Sequence, residues 1–121
     1  MIVSYKNRFV EPILNKTKKH TLREDIHNRW KQGMKMHMAT GVRTKKYNQF
    51  YEDTCKSIQK IKIKPTSEYL NGIVVDVDGR KLTETEVQQL AWNGFVNLID
   101  FWMWFKDGFD GKILHLTDLK Y

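Results

Sequence analysis

The richest stretch of reactive side chains is Asn15-Lys16-Thr17-Lys18-Lys19-His20-Thr21-Leu22-Arg23-Glu24. On a strand over residues 17–24, alternation sends Lys19, Thr21 and Arg23 to one side and His20 and Leu22 to the other. Lys18 stands at the start of that strand, where its long stem can bend toward Thr21. An ammonium, a hydroxyl and a planar guanidinium converging on one hollow suit an anionic or amide-bearing ligand. The arginine offers a two-pronged fork and the lysine a point charge. The same residues also describe a solvated edge strand whose lysines discourage edge-to-edge pairing. A second stretch, Arg43-Thr44-Lys45-Lys46-Tyr47-Asn48-Gln49-Phe50-Tyr51, interleaves cations with aromatic rings. Arg43, Lys45, Lys46 and Tyr47 there have the chemistry of single-strand binding, with rings for bases and cations for phosphates. The alternative is a long loop whose rings pack back onto the domain.

The charge is unevenly spread. Residues 1–64 hold 16 Lys and Arg against 5 Asp and Glu, whereas residues 65–121 hold 5 against 9, within a net charge of +7. Basic side chains gathered on one face concentrate polyanions, so RNA or a nucleotide-like anion is the expected partner. The histidines His20, His27, His37 and His115 lack the close spacing and cysteine partners of a metal site, so no metal or cofactor is expected. Cys55 stands alone and cannot form an intramolecular disulfide, which fits a reducing cytoplasm. The longest apolar run, Phe101 to Phe105, is too short to span a membrane, and the first residues lack the apolar segment of a secretion signal.

The elements that position these residues fit one α+β domain over residues 1–121, with normal globular composition and no linker or repeat. Ile2 to Tyr5 reads as a strand, and Pro12 opens a short helix that turns Ile13 and Leu14 inward. Met34, Met36 and Met38 alternate with Lys35 and His37 as a strand with an apolar, core-facing side. From Thr54 to Lys64, Ile58 is out of phase with Ile61 and Ile63, which predicts a β-bulge near Gln59. Lys60, Lys62 and Lys64 then form the solvent face. Ile73, Val75 and Val77 form another strand, ended by the turn Asp78-Gly79. Thr83 with Glu86 is a capping box for a helix that buries Val87, Leu90 and Ala91. A second helix follows, with Phe95, Leu98, Ile99 and Trp102 as its inner stripe, widened by Trp104 and Phe105 and stopped at Gly108. Trp92, Trp102 and Trp104 are expected in the core. Gly111 to Thr117 closes the chain as a strand. Five or six short strands, a bulge and two groups of helices predict a small curled sheet or barrel.

The segment Lys16 to Arg23, followed by Trp30-Lys31-Gln32-Gly33 and a strand, resembles the signature of the ASCH domains, small β-barrels of the PUA-like superfamily associated with RNA. Their motif is G-x-K-x-x-E-x-R, and its positions here read Lys16, Lys18, Thr21 and Arg23. The lysine and arginine match, whereas the glycine and glutamate do not. Threonine at the glutamate position, and the turn at Trp30 to Gly33, are similar to the small acetylcytidine amidohydrolases, which use a Lys, a Thr and a Glu. Residues 42–55 look like an enlarged loop relative to compact members.

The resemblance implies a PUA-like barrel of five to six strands that binds RNA or a modified nucleoside, with Lys18, Thr21 and Arg23 lining the pocket and Arg43, Lys45, Lys46 and Tyr47 in support. It also implies an alternative, hydrolysis of an acetylated cytidine, with Thr21 as nucleophile and Lys18 as base. Aligning on Leu82-Thr83 brings Asp78 to the place of the family's glutamate. Aligning on Gly94-Phe95 leaves only Asn93 there, which cannot exchange a proton. Asp78 also has a plain structural use in its turn. A protein-interaction module with an incidental basic surface is the third class.

Overall fold

The computed structural model describes residues 2–25, 27–66, 73–94 and 98–121. Strand β1 (Ile2–Ser4) runs parallel to β3 (Lys35–Thr40), which pairs antiparallel with β4 (Asn48–Thr54). The other strands, β2 (His20–Arg23), β5 (Ser57–Pro65), β6 (Ile73–Val77), β7 (Arg80–Lys81) and β8 (Phe109–His115), form a second sheet in the order β2-β8-β5-β6-β7. Helices α1 (Val10–Leu14), α2 (Glu84–Gly94) and α3 (Leu98–Phe105) complete an α+β fold. Among the described residues the pairing gives two separate sheets and not a closed ring of strands. Among the described residues no helix is long and apolar enough to cross a membrane.

Two cores explain the strand patterns. One lies between the five-stranded sheet and helices α2 and α3, and holds Ile61, Ile63, Val75, Leu90, Phe101, Phe105 and Ile113. The other includes Val3, Phe9, Ile13, Met36, Met38 and Leu114, with Ile58 packed against it. Neighbours Ile113 and Leu114 on β8 therefore serve opposite cores, as in a sheet covered on both faces. That resolves the phase problem in β5 without a bulge. Its register with β8 is continuous from Ser57↔His115 to Ile63↔Phe109. Ser57 and Gln59 point inward with Ile61 and Ile63, while Ile58 serves the second core. The bulge lies instead in β4, opposite Met38/Ala39, where it leaves Phe50 unpaired and sets its ring 6.2 Å from that of Tyr5. The second half of the expected long loop is thus strand.

Local signals act as their chemistry requires. The Thr83 hydroxyl accepts from the Glu86 amide at 3.2 Å, and the Glu86 carboxylate accepts from the Thr83 amide at 3.1 Å, closing the capping box of α2. Asp78 (φ 51°) and Gly79 (φ 84°) both take the left-handed conformation that a tight hairpin turn demands. Helix α3 departs from expectation. Phe101 and Phe105 face inward, while Ile99, Trp102, Met103 and Trp104 are exposed, as is Trp92 on α2. Apart from Asp100 every residue of the helix is apolar, so hydropathy marks no single inner face. Phe95 and the side chain of Leu98 lie outside the described residues. Leu14 is exposed too, since the one-and-a-half turns of α1 can direct only Ile13 into the core.

Candidate functional site

The turn between α1 and β2 aims Lys18 into the molecule. Lys16 adopts a left-handed φ of 69°. The Asn15 carboxamide oxygen accepts from the Thr17 amide at 3.1 Å and its hydroxyl at 2.6 Å. The Lys18 amide then donates to the Pro12 carbonyl at 2.9 Å, and the Lys19 amide to the Asn93 carbonyl at 2.6 Å. So anchored, Lys18 runs inward with 6% of its surface exposed, and its ammonium donates to the Gly94 carbonyl. The Nζ lies 4.8 Å from the centre of the Phe9 ring. Gly94 has to be glycine for this approach, because a Cβ there would stand 2.5 Å from Cε1 of the fully buried His20.

Thr21 and Arg23, two apart on β2, share the face that Lys18 reaches. The Arg23 Nε donates to Thr21 Oγ1 at 3.2 Å, and its Nη2 donates to the Ser4 carbonyl at 2.6 Å. Its guanidinium also lies 4.8 Å from the centre of the Tyr5 ring. Two acceptors and a ring fix the plane of the cation. Lys18, Thr21 and Arg23, with walls from Tyr5, Phe9, Trp104 and Phe105 and with Lys6 at the rim, enclose a cleft of about 260 Å³. Among the described residues that line it there is no aspartate or glutamate. Its size suits one planar base or nucleoside better than a large cofactor.

Electrostatics sharpen the picture. Burial, reinforced by the charges of Arg23 and Arg8, lowers the pKa of Lys18 to about 7. At neutral pH its amine is therefore divided between charged and neutral forms. Burial raises the Tyr5 phenol. Its hydroxyl lies near Thr21 and Arg23 yet makes no hydrogen bond of ordinary geometry.

On the same sheet, β2 and β8 place His20 opposite His115, with ring centres 5.8 Å apart. His20 Nε2 is 3.0 Å from the Tyr121 hydroxyl, and His115 Nε2 is 2.8 Å from Gln59 Oε1. Burial holds His20 well below the usual histidine pKa and lowers His115 to about 4, so both are neutral at pH 7. Asp78 joins this network and not the cleft. Its carboxylate accepts from the Lys60 amide at 2.9 Å and from Gln59 Nε2 at 3.1 Å. Asn93 donates to the Tyr121 hydroxyl at 3.1 Å.

The expected trio of Lys18, Thr21 and Arg23 thus shares one cleft, and Asp78 lines no part of it. Arg43, Lys45, Lys46 and Tyr47 are exposed on the turn between β3 and β4 and do not line it either. The side chains that sequence reasoning missed are Tyr5, Lys6, Arg8, Phe9 and Gly94. The first four repeat, near the N-terminus, the alternation of cation and ring that drew attention to residues 43–51. Trp104, expected in the core, is a cleft wall with 47% of its surface exposed. Among the described residues no three His, Cys, Asp or Glu side chains gather as a metal site would require. Comparison with protein-family models, with curated proteins and with solved structures finds no match to this chain.

Proposed function

We propose that the chain is a nucleic-acid-binding domain of PUA-like, ASCH type, which takes a base of RNA or a modified nucleoside into the cleft on β2. The observation that carries this reading is the convergence of Lys18, Thr21 and Arg23 in one aromatic-walled hollow. The rings of Phe9 and Trp104 offer stacking surfaces, the hydroxyls of Thr21 and Tyr5 can reach a base edge, and the cations meet phosphate. The stretch that resembles the ASCH signature is the same stretch that lines the cleft, which supports the family reading. Fluorescence anisotropy with labelled single-stranded RNA tests it. Lys18→Ala combined with Arg23→Ala should weaken binding at least about tenfold and flatten its salt dependence, because two cationic contacts are gone. An unchanged affinity in a variant with native circular dichroism would remove the cleft from consideration.

One observation favours amide hydrolysis as a second reading, namely an amine of pKa about 7 beside a hydroxyl. Thr21 Oγ would attack the amide carbon, Lys18 would take its proton and return it to the leaving amine, and water would release the acyl group from Thr21. Among the described residues lining the cleft there is no acidic third member, and the aromatic walls make binding the stronger reading. Turnover of an acetylated cytidine that disappears in Thr21→Ala would reverse that order.

A further inference from the structure

Trp104 is shared between two hollows. On one side it walls the cleft; on the other it joins Lys6, Arg8 and Met103 around an open depression of about 670 Å³. Lys6 lines both. The Lys6 ammonium sits 5.0 Å from the centre of the Trp104 ring, and the Arg8 guanidinium sits 5.6 Å from it. Further along the exposed side of α3, the Lys106 ammonium lies 5.5 Å from the Trp102 ring centre. Core packing does not account for these rings, because Phe101 and Phe105 already fill the inner face of the helix. Exposed indoles flanked by cations are the side chains that stack bases and hold phosphates.

We infer that the cleft and this shelf form one continuous track, so that the ligand is a single-stranded RNA segment of at least two nucleotides and not a free nucleoside. The inference rests on the proposed RNA reading and specifies its ligand. One base enters the cleft, its neighbour stacks on Trp104, and Lys6 and Arg8 hold the phosphate between them. An anionic lipid surface also attracts exposed tryptophan and lysine, but the inner end of the track argues against it. The hydroxyls of Thr21 and Tyr5 lie there, and Tyr5, with 7% of its surface exposed, has no ordinary hydrogen bond. A base edge satisfies such groups, whereas an acyl chain leaves them stranded.

The test compares competitors of different length against a labelled random-sequence RNA octamer bound to the whole chain. Trinucleotides should compete at least about tenfold better than any of the four ribonucleoside monophosphates, the margin that one base–aromatic stack supplies. A shelf variant, Met103→Glu with Lys106→Glu, changes two exposed side chains that do not line the cleft and should keep the wild-type melting curve. It should bind the octamer at least about tenfold more weakly while competition by monophosphates stays as in the wild type. Monophosphates that compete as well as trinucleotides would overturn the inference and leave the cleft reading standing. So would a shelf variant that keeps its octamer affinity but no longer sediments with phosphatidylserine vesicles. A wild-type chain that binds no RNA of any length would instead overturn the reading on which the inference rests.

Discussion

Lys18→Met isolates the titration of the buried amine. Methionine keeps much of the stem's volume and removes the charge. Folding lowers the lysine pKa from 10.5 to about 7, chiefly through burial. The unfolded chain therefore holds this proton over a range where the folded chain has lost it. Stability consequently rises with pH between those two values, and the gain is lost as pH falls through the folded value. Evaluating the two titrations gives a gain on the order of 1–2 kcal/mol between about pH 7 and about pH 8.5, from this group alone. His20 and His115 titrate at lower pH in the folded chain and are common to both proteins, so subtracting the variant's profile removes their contribution. Urea denaturation at several pH values, followed by circular dichroism, provides both profiles. The wild type should climb across this interval relative to Lys18→Met. The variant should equal or exceed the wild type near pH 7, since replacing a buried charge by an apolar group is commonly neutral or stabilising. Parallel profiles would mean that the amine titrates elsewhere, and the electrostatic description of the cleft would be wrong.

Two further substitutions test the supports of the cleft. Gly94→Ala places a methyl 2.5 Å from Cε1 of an imidazole that has no room to retreat, so we expect a loss of about 1–3 kcal/mol in urea denaturation despite alanine's better helix propensity; a more stable variant would contradict the packing described. Asp25 is nearly buried, and although burial opposes its charge, Lys112 at 2.7 Å and the amides of Arg29 and Trp30 prevail and lower its pKa. Its contribution is therefore present above the unfolded carboxylate value and lost as pH falls through the lowered one. Asp25→Asn should cost about 1–3 kcal/mol at neutral pH, and the difference should close in acid, where wild-type Asp25 is itself neutral; a difference that persists unchanged there would show that charge is not its role.

What the sequence makes legible is what local chemistry decides. Thr83 and Glu86 cap a helix wherever they stand three apart at its start, and Asp78-Gly79 can turn a hairpin without help from distant residues. Met36 and Met38 face a core because strand alternation leaves them no other course. Lys18, Thr21 and Arg23 are near enough along the chain for one strand to gather them. Features that depend on distant partners stay hidden. Ile58 looks out of step only until both faces of its sheet are seen to be covered. The exposure of Trp104 follows from Phe101 and Phe105 taking the core, a choice that a helix apolar on nearly every side does not record. The inward course of Gln59 and His20 depends on His115 and Tyr121, nearly the whole chain away from His20. Tyr5 and Phe9 become cleft walls only when the N-terminal segment is laid against β2.

Two inward-running lysines in this fold have different surroundings, and the difference bears on function. Lys112 meets the carboxylate of Asp25 and the carboxamide of Asn28, so its charge is matched where it is needed to hold a loop. Lys18 is more deeply placed, and burial together with the charges of Arg23 and Arg8 brings its pKa to about 7. Such an amine, poised to take a proton beside the fixed guanidinium of Arg23, responds to any charge that enters the cleft. A bound anion changes that balance. It adds negative charge beside the amine, raises the amine toward its ordinary pKa, and so links ligand binding to the uptake of a proton by Lys18 near neutral pH.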